Sequence, residues 1–209
     1  MDVLIADDHQ LIREGIKYML SEAPEIGTIG EAKNAVEIFE QIEMRPWDVL
    51  VLDINLPGRS GLDVLKELRV KHPRLPVLIL SMYPEDQFAV RVIKAGAAGY
   101  LTKSSAAKEL VDALRKIASG GKYINAAVAE KLAEAVDDGI VSTPHERLSD
   151  REFEIFKLIG SGKTVGEIAE LLNRSVKTIS THRTHILEKM NLHNNADIMQ
   201  YVFEHKLTE

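Results

Sequence analysis

Asp48-Val49-Leu50-Val51-Leu52-Asp53-Ile54-Asn55-Leu56-Pro57-Gly58 decides how the first half of the chain folds. Its four consecutive apolar residues, two of them β-branched, predict a strand covered on both faces, as in a parallel sheet. The run stops at Asp53, and Pro57-Gly58 marks the turn beyond it. Ligand sites in open parallel sheets lie beyond the carboxyl ends of the strands, so Asp53 stands where chemistry is expected. An aspartate there can also simply open a turn. Only its company separates the two readings.

That company is found at three other predicted strand ends. Val3-Leu4-Ile5-Ala6 runs into Asp7-Asp8, Pro76-Val77-Leu78-Ile79-Leu80 into Ser81, and Ala98-Gly99-Tyr100-Leu101-Thr102 into Lys103. Side by side, the first two acidic strands would gather Asp7, Asp8 and Asp53 at one edge. Clustered carboxylates repel one another unless a cation sits among them, and a hard divalent ion such as Mg2+ suits oxygen ligands. A carboxylate beside Mg2+ is able to attack a phosphoryl donor and become an aspartyl phosphate. Each signal alone is weak; the four together are specific.

On these residues, positions 1 to about 120 resemble the receiver domain of two-component response regulators. The resemblance implies that Asp53 is the phosphoacceptor. It also implies that Asp7, Asp8 and Asp53 hold Mg2+ together with the backbone carbonyl of Asn55. Ser81 and Lys103 then contact the phosphoryl group, and Tyr100 is the aromatic that turns inward on activation. Many receivers carry proline after the lysine; here that residue is Ser104. A cis bond without proline is costly, so the peptide geometry is left to the structure.

The whole-chain totals narrow the class. The 209 residues, 45% hydrophobic, suit one large or two small globular domains. With no cysteine, disulfides and thiolate zinc sites are excluded. No apolar run approaches the roughly 20 residues of a membrane span, and Met1-Asp2 leads straight into a strand without a basic leader. A cytoplasmic location is expected.

Alternating periods predict five strands and five helices as far as Ala118, hence an α/β, doubly wound five-stranded parallel sheet. The helices include Gln10 to Ser21, with apolar Leu11, Ile12, Ile16, Met19 and Leu20, and Ala106 to Ala118, stopped by Gly120-Gly121. The expected division is a receiver over 1–121, a linker containing a helix over 122–146, and a second, smaller all-α domain over 147–209. Ala126 to Val136 supplies the linker helix, and Asp137 to Pro144 reads as flexible connection.

The second domain opens on Ser149-Asp150-Arg151-Glu152, a capping-box pattern. Two further helices follow, the first capped by Thr164, joined through Asn173-Arg174-Ser175; this spacing describes a helix-turn-helix whose second helix enters the DNA major groove. One side of that helix is expected to carry apolar Val176, Ile179, Ile186, Leu187 and Met190. The other carries Lys177, Ser180, Thr181, Thr184 and His185, side chains suited to base edges and phosphates. Charge agrees locally. The chain has net charge −6, and from Glu146 onward nine Lys/Arg face ten Asp/Glu, but Asn173 to Lys189 has four Lys/Arg against one Glu. Any DNA contact should be narrow and salt-sensitive.

Leu148-Ser149-Asp150-Arg151-Glu152, Glu167-Ile168-Ala169, Ser175-Val176-Lys177-Thr178-Ile179 and His182 resemble the LuxR-type domain of NarL/FixJ response regulators. The resemblance implies base contacts from Ser180, Thr181 and Thr184, and phosphate contacts near Lys177, Thr178, His182 and Lys189. Many members have lysine where Ser180 stands, which bears on the operator sequence. The closing helix, Ala196 to His205, is expected to pack through Met199 and Phe203 and to form a two-fold dimer contact through Ile198 and Val202.

The combined expectation is a transcriptional response regulator, phosphorylated at Asp53 by a sensor histidine kinase and acting as a homodimer on double-stranded DNA. Two rivals stay open. One is an aspartyl-phosphate hydrolase, disfavoured because Asp53-Ile54-Asn55 lacks a second acid two positions on. The other is an adaptor that uses the receiver only for docking.

Overall fold

The computed structural model describes residues 1–82, 85–125, 128–130, 132, 144–172, 174–205 and 207, without the side chains of 85–88, 146 and 150. Most of the expected linker helix, apart from 128–130 and 132, and most of the connection after it lie outside these residues, as do Pro84, Asn173 and the Phe88 side chain. The chain divides into two compact units, Met1–Ile140 and Val141–Glu209.

In the first unit, β1 (Val3–Ala6), β2 (Ile29–Ala32), β3 (Val49–Asp53), β4 (Val77–Ser81) and β5 (Gly99–Thr102) form one sheet, ordered β2-β1-β3-β4-β5. All pairings are parallel. Helices α1 (Gln10–Ser21), α2 (Ala35–Met44), α3 (Gly61–Lys71), α4 (Glu85–Lys94) and α5 (Ala106–Ala118) connect and flank them. Val49, Leu50, Val51 and Leu52 are all buried. Continuous apolar runs of this kind are what two covered faces demand.

The register puts the strand ends in one row. Ala6 pairs with Leu52, Asp53 with Leu80, and Ser81 with Thr102. Asp7, Asp53, Ser81 and Lys103 therefore emerge at the same edge. Gly61 keeps that edge compact: a Cβ there would run into the carbonyl oxygen of Asp53 and come within 2.8 Å of Ile54 Cα. Substitution at Gly61 thus shifts the backbone beside the central acid.

Helix α1 departs from the simple apolar reading. It buries Arg13, Ile16 and Leu20, one face at a helical period, but leaves Leu11 84% exposed. Leu11 lies on the opposite side of the helix, so its apolarity did not mark the core.

The second unit contains a 3-10 turn (Pro144–Arg147), α6 (Asp150–Gly160), α7 (Val165–Leu171), α8 (Val176–Met190) and α9 (Asn195–Glu204). Reciprocal capping boxes start three of the helices: Ser149 with Glu152, Thr164 with Glu167, and Asn194 with Asp197. Ser175 starts α8 by accepting from the Thr178 N–H, and Asn191 ends it in the left-handed conformation, φ 53°. The core gathers Phe153, Ile155, Phe156, Ile159, Ile168, Ile179, Ile186 and Met190. Val176, expected on the apolar side of α8, is exposed.

The last helix corrects the sequence reading. Ile198 and Val202 are fully buried in their own unit, whereas Met199 is partly exposed and Phe203 is 83% exposed. The assignment was inverted because the helix is apolar on more than one side, and periodicity alone does not say which side faces the core. Gly160 makes the packing explicit: a Cβ there would lie 2.6 Å from both Val202 methyls. Val202 and α6 meet at glycine-only separation, so Val202 is not available to a partner chain.

Candidate functional site

The pocket at the sheet edge is built around Lys103. Its ammonium donates to Asp7 Oδ2 at 2.6 Å and to Asp53 Oδ2 at 2.8 Å, bridging β1, β3 and the end of β5. Both carboxylates are almost completely buried, and so is Ser81. The Lys103 N–H donates to the Ser81 carbonyl at 2.7 Å, fixing the two strand ends to each other. The peptide bond from Lys103 to Ser104 is trans. Tyr100, three residues before the lysine, is buried in β5.

The electrostatics are unbalanced in a useful direction. Asp7, Asp8 and Asp53 carry three negative charges when ionised, and Lys103 returns one. Burial pushes the Asp53 carboxyl above its ordinary value; Lys103 opposes this and the nearby Asp7 reinforces it. Burial alone would lower the Lys103 ammonium, but the charges and hydrogen bonds of Asp53 and Asp7 outweigh it and hold it above the ordinary lysine value. Two excess negative charges in a low-dielectric pocket favour a divalent cation.

The oxygens fit such an ion. One ligand atom from each of Asp7, Asp8, His9 and Asp53 lies within 4.8 Å of the others. Asp8 Oδ1 is buried and has no hydrogen-bond partner. A buried carboxylate oxygen without a hydrogen bond calls for a positive charge, which the His9 ring nitrogen at 2.8 Å or a metal ion can supply. Asp53 Oδ1 already accepts the Asn55 N–H at 3.1 Å, which folds the loop after β3 back over the acid.

Sequence reasoning passed over two residues that support this pocket, Arg13 and His9. Arg13 is buried; it donates to the Asp7 carbonyl at 2.7 Å and to Glu31 Oε2 at 3.0 Å, tying β1, α1 and β2 together. Its position on the inward face of α1 was the available signal. His9, directly after the paired acids, has Nδ1 3.1 Å from Asp7 Oδ1 and 2.8 Å from Asp8 Oδ1.

In the second unit, Lys177, Thr178, Ser180, Thr181, Thr184 and His185 are exposed on α8, and His182 is half-buried. Thr181 and Thr184 each donate a hydroxyl back to the carbonyl four residues earlier, at 3.0 and 3.2 Å. That leaves their oxygens outward as acceptors. The Thr178 hydroxyl is 2.8 Å from the Ser175 hydroxyl, within the helix cap. His182 is held below the ordinary histidine range, chiefly by burial.

Lys189 is engaged inside the unit rather than standing free. Its Nζ donates to Glu152 Oε2 at 2.6 Å. The same carboxylate oxygen accepts from the Ser149 N–H and hydroxyl at 2.8 and 2.9 Å. Glu152 thereby ties the start of α6 to the end of α8. Burial would raise its pKa, but the hydrogen bonds from Lys189 and Ser149 win and hold it below the usual glutamate value. A depressed folded-state pKa contributes stability that is present above the unfolded value and lost as pH falls through the folded one. Glu152→Gln is therefore expected to cost about 2–3 kcal/mol at pH 7. The penalty should shrink as pH falls through the depressed folded-state value, where wild-type Glu152 also protonates. Urea unfolding of wild type and variant across this range checks it; a pH-independent difference would reduce Glu152 to a packing residue.

A parallel-sheet unit with an acid-and-lysine pocket, followed by a helix-turn-helix unit, defines a two-part signalling regulator. Residues 3–115 match the response regulator receiver domain, and residues 146–202 match the LuxR family of bacterial regulatory proteins. The chain belongs to the NarL/FixJ family of transcriptional response regulators. It is 32% identical over 208 residues to response regulator UvrY of Escherichia coli strain K12, covering 99% of this chain and 95% of that protein. It is 35% identical over 218 residues to oxygen regulatory protein NreC of Staphylococcus epidermidis, spanning both chains fully. A solved structure of RcsB from Salmonella enterica serovar Typhimurium, bound to promoter P1flhDC with the phosphomimetic BeF3−, aligns with TM-score 0.59 and 28% identity over 97% of each chain. This membership sets aside the hydrolase reading: the family is one of regulators, not enzymes. No helix among the described residues is long and apolar enough to cross a membrane.

Proposed function

We propose that a sensor histidine kinase, or a small phosphodonor, phosphorylates Asp53, and that this shifts a pre-existing equilibrium toward a form that binds double-stranded DNA as a homodimer. The observation that carries the reading is the Lys103 ammonium shared between two buried carboxylates from different strands. Asp53 supplies the nucleophilic oxygen. Lys103 lies within reach of a phosphoryl oxygen added to Asp53, and Ser81, on the adjacent strand end, is the second phosphoryl contact. Tyr100 follows Ser81 as the switch. Asp7, Asp8, Asp53 and the Asn55 carbonyl would hold Mg2+, which, when bound, neutralises charge on the phosphoryl oxygens. Catalysis by the chain itself extends no further than phosphotransfer onto, and hydrolysis from, its own aspartate. The cytoplasm, where kinase domains and DNA are both accessible, is the proposed location.

On DNA, α8 is proposed to enter the major groove. Ser180, Thr181 and Thr184 face base edges, while Lys177 and Thr178, with His182 and His185, lie toward phosphates. Lys189 joins them only if it leaves Glu152. The exposed Met199 and Phe203 make the outer side of α9 the proposed self-association surface. Solved relatives support the outline: one RcsB structure is described as two dimers bound to two parallel DNAs.

Lys177→Ala should weaken binding about equally on all DNA sequences and make the slope of log affinity against log salt shallower by about 1. Titrations at several salt concentrations read this directly. An unchanged slope removes Lys177 from the phosphate contacts.

A further inference from the structure

Resting on the metal reading of the acid pocket, we propose that His9 is an additional ligand, which makes the pocket favour nitrogen-accepting divalent ions of the Mn2+ and Co2+ type over what its oxygens alone would bind.

The geometry is that of converging ligands. His9 Nδ1 lies 2.8 Å from Asp8 Oδ1 and 3.1 Å from Asp7 Oδ1. Neighbouring ligands on an octahedral ion with bonds of about 2.0–2.2 Å are separated by about 3 Å. The contact with Asp7 is a hydrogen bond only if the ring proton is on Nδ1. Asp8 Oδ1 is buried and makes no hydrogen bond. Its near neighbour is the same ring nitrogen, an ion-pair contact if the ring is protonated and a shared ligand position if it is not. Two lone-pair atoms directed at a shared point give the second arrangement. With the ring proton on Nε2, Nδ1 presents its lone pair to the same space.

The division of oxygens leaves that space open. Lys103 binds the Oδ2 atoms of Asp7 and Asp53. The Oδ1 atoms of Asp7 and Asp8 face His9 instead. The backbone helps: the His9 N–H donates to Asp7 Oδ1 at 2.8 Å, closing a tight turn that brings the ring back over the acids.

The side chain at position 9 also does nothing for its helix. His9 is the N-cap of α1, yet its side chain makes no capping hydrogen bond. Ser, Thr, Asn or Asp there typically adds about 1 kcal/mol. A side chain that forgoes this and lies against three carboxylates has its function in the pocket. Imidazole suits transition metals, whereas Mg2+ prefers oxygen and water. His9 therefore discriminates among ions without being needed for Mg2+.

The test uses the full-length chain and a His9→Asn variant, asparagine being a good N-cap that preserves α1. Pulsed electron paramagnetic resonance of bound Mn2+ should show a directly coordinated nitrogen in wild type and none in His9→Asn. Calorimetry should show Mn2+ and Co2+ binding weakened at least about tenfold in the variant, with Mg2+ binding retained. Mn2+ bound without nitrogen coupling, or coupling that persists in the variant, overturns the assignment of His9 while leaving the acid pocket standing. Absence of any divalent binding to wild type overturns the metal reading as well.

Discussion

Asp53→Ala is expected to accept no phosphoryl label from a small phosphodonor or a cognate kinase, while wild type labels at one site. The physical reason is positional. Asp53 is the acid held at the end of the central strand, with one oxygen on Lys103 and the other on the Asn55 N–H. Asp7 also touches Lys103, but its carbonyl is held by Arg13 and its Oδ1 by the turn to His9. The difference is place: Asp7 follows β1, whereas Asp53 ends β3 in the middle of the sheet. Label retained in Asp53→Ala and released by alkali or hydroxylamine, as from an acyl phosphate, would refute the assignment. A companion effect concerns stability. Because burial and Asp7 raise the folded-state pKa of Asp53, its ionisation opposes folding: stability is fullest below the unfolded value and falls as pH rises through the folded one. Asp53→Asn, which keeps shape and removes charge, should therefore melt higher than wild type at pH 7. Its melting temperature should change less with pH above 4. A lower melting point would mean that the contact with Lys103 outweighs burial.

Lys103→Met should have the largest effect on the receiver unit in the absence of divalent cations. Removing the ammonium leaves Asp7 and Asp53 buried together with no counter-charge, and breaking a buried pair from one side typically costs about 3–5 kcal/mol. The sign with pH follows from the raised carboxylate pKa values that result. The loss develops as pH rises through them and is relieved in acid, where the carboxylates protonate. Added Mg2+ should recover part of the stability in proportion to its occupancy, because it binds the folded form alone. Denaturant unfolding at pH 5 and pH 7.5, with and without Mg2+, separates these contributions. A penalty that is the same in all four conditions would mean that Lys103 acts through packing rather than charge.

Much of this protein was determined locally. Apolar runs of four to five residues ending in Asp7, Asp53, Ser81 and Lys103 specified a parallel sheet with its chemistry at one edge. They did so because strands buried on both faces leave polar residues only at their ends. The caps at Ser149 and Thr164 announced two helices of the second unit, since a capping side chain bonds within its own first turn. What remained needed the third dimension. Ile198 and Val202 proved buried and Phe203 exposed because α9 is apolar on more than one side and its neighbour α6 chooses the face. Lys189 proved bound to Glu152, 37 residues away in sequence, a pairing that no spacing rule reaches. His9 stood beside the paired acids in the sequence, yet only coordinates turned adjacency into convergence. Local bonding is written into neighbouring residues, whereas the side of a helix that meets the core and the partner that a long charged side chain finds are set by packing between distant segments.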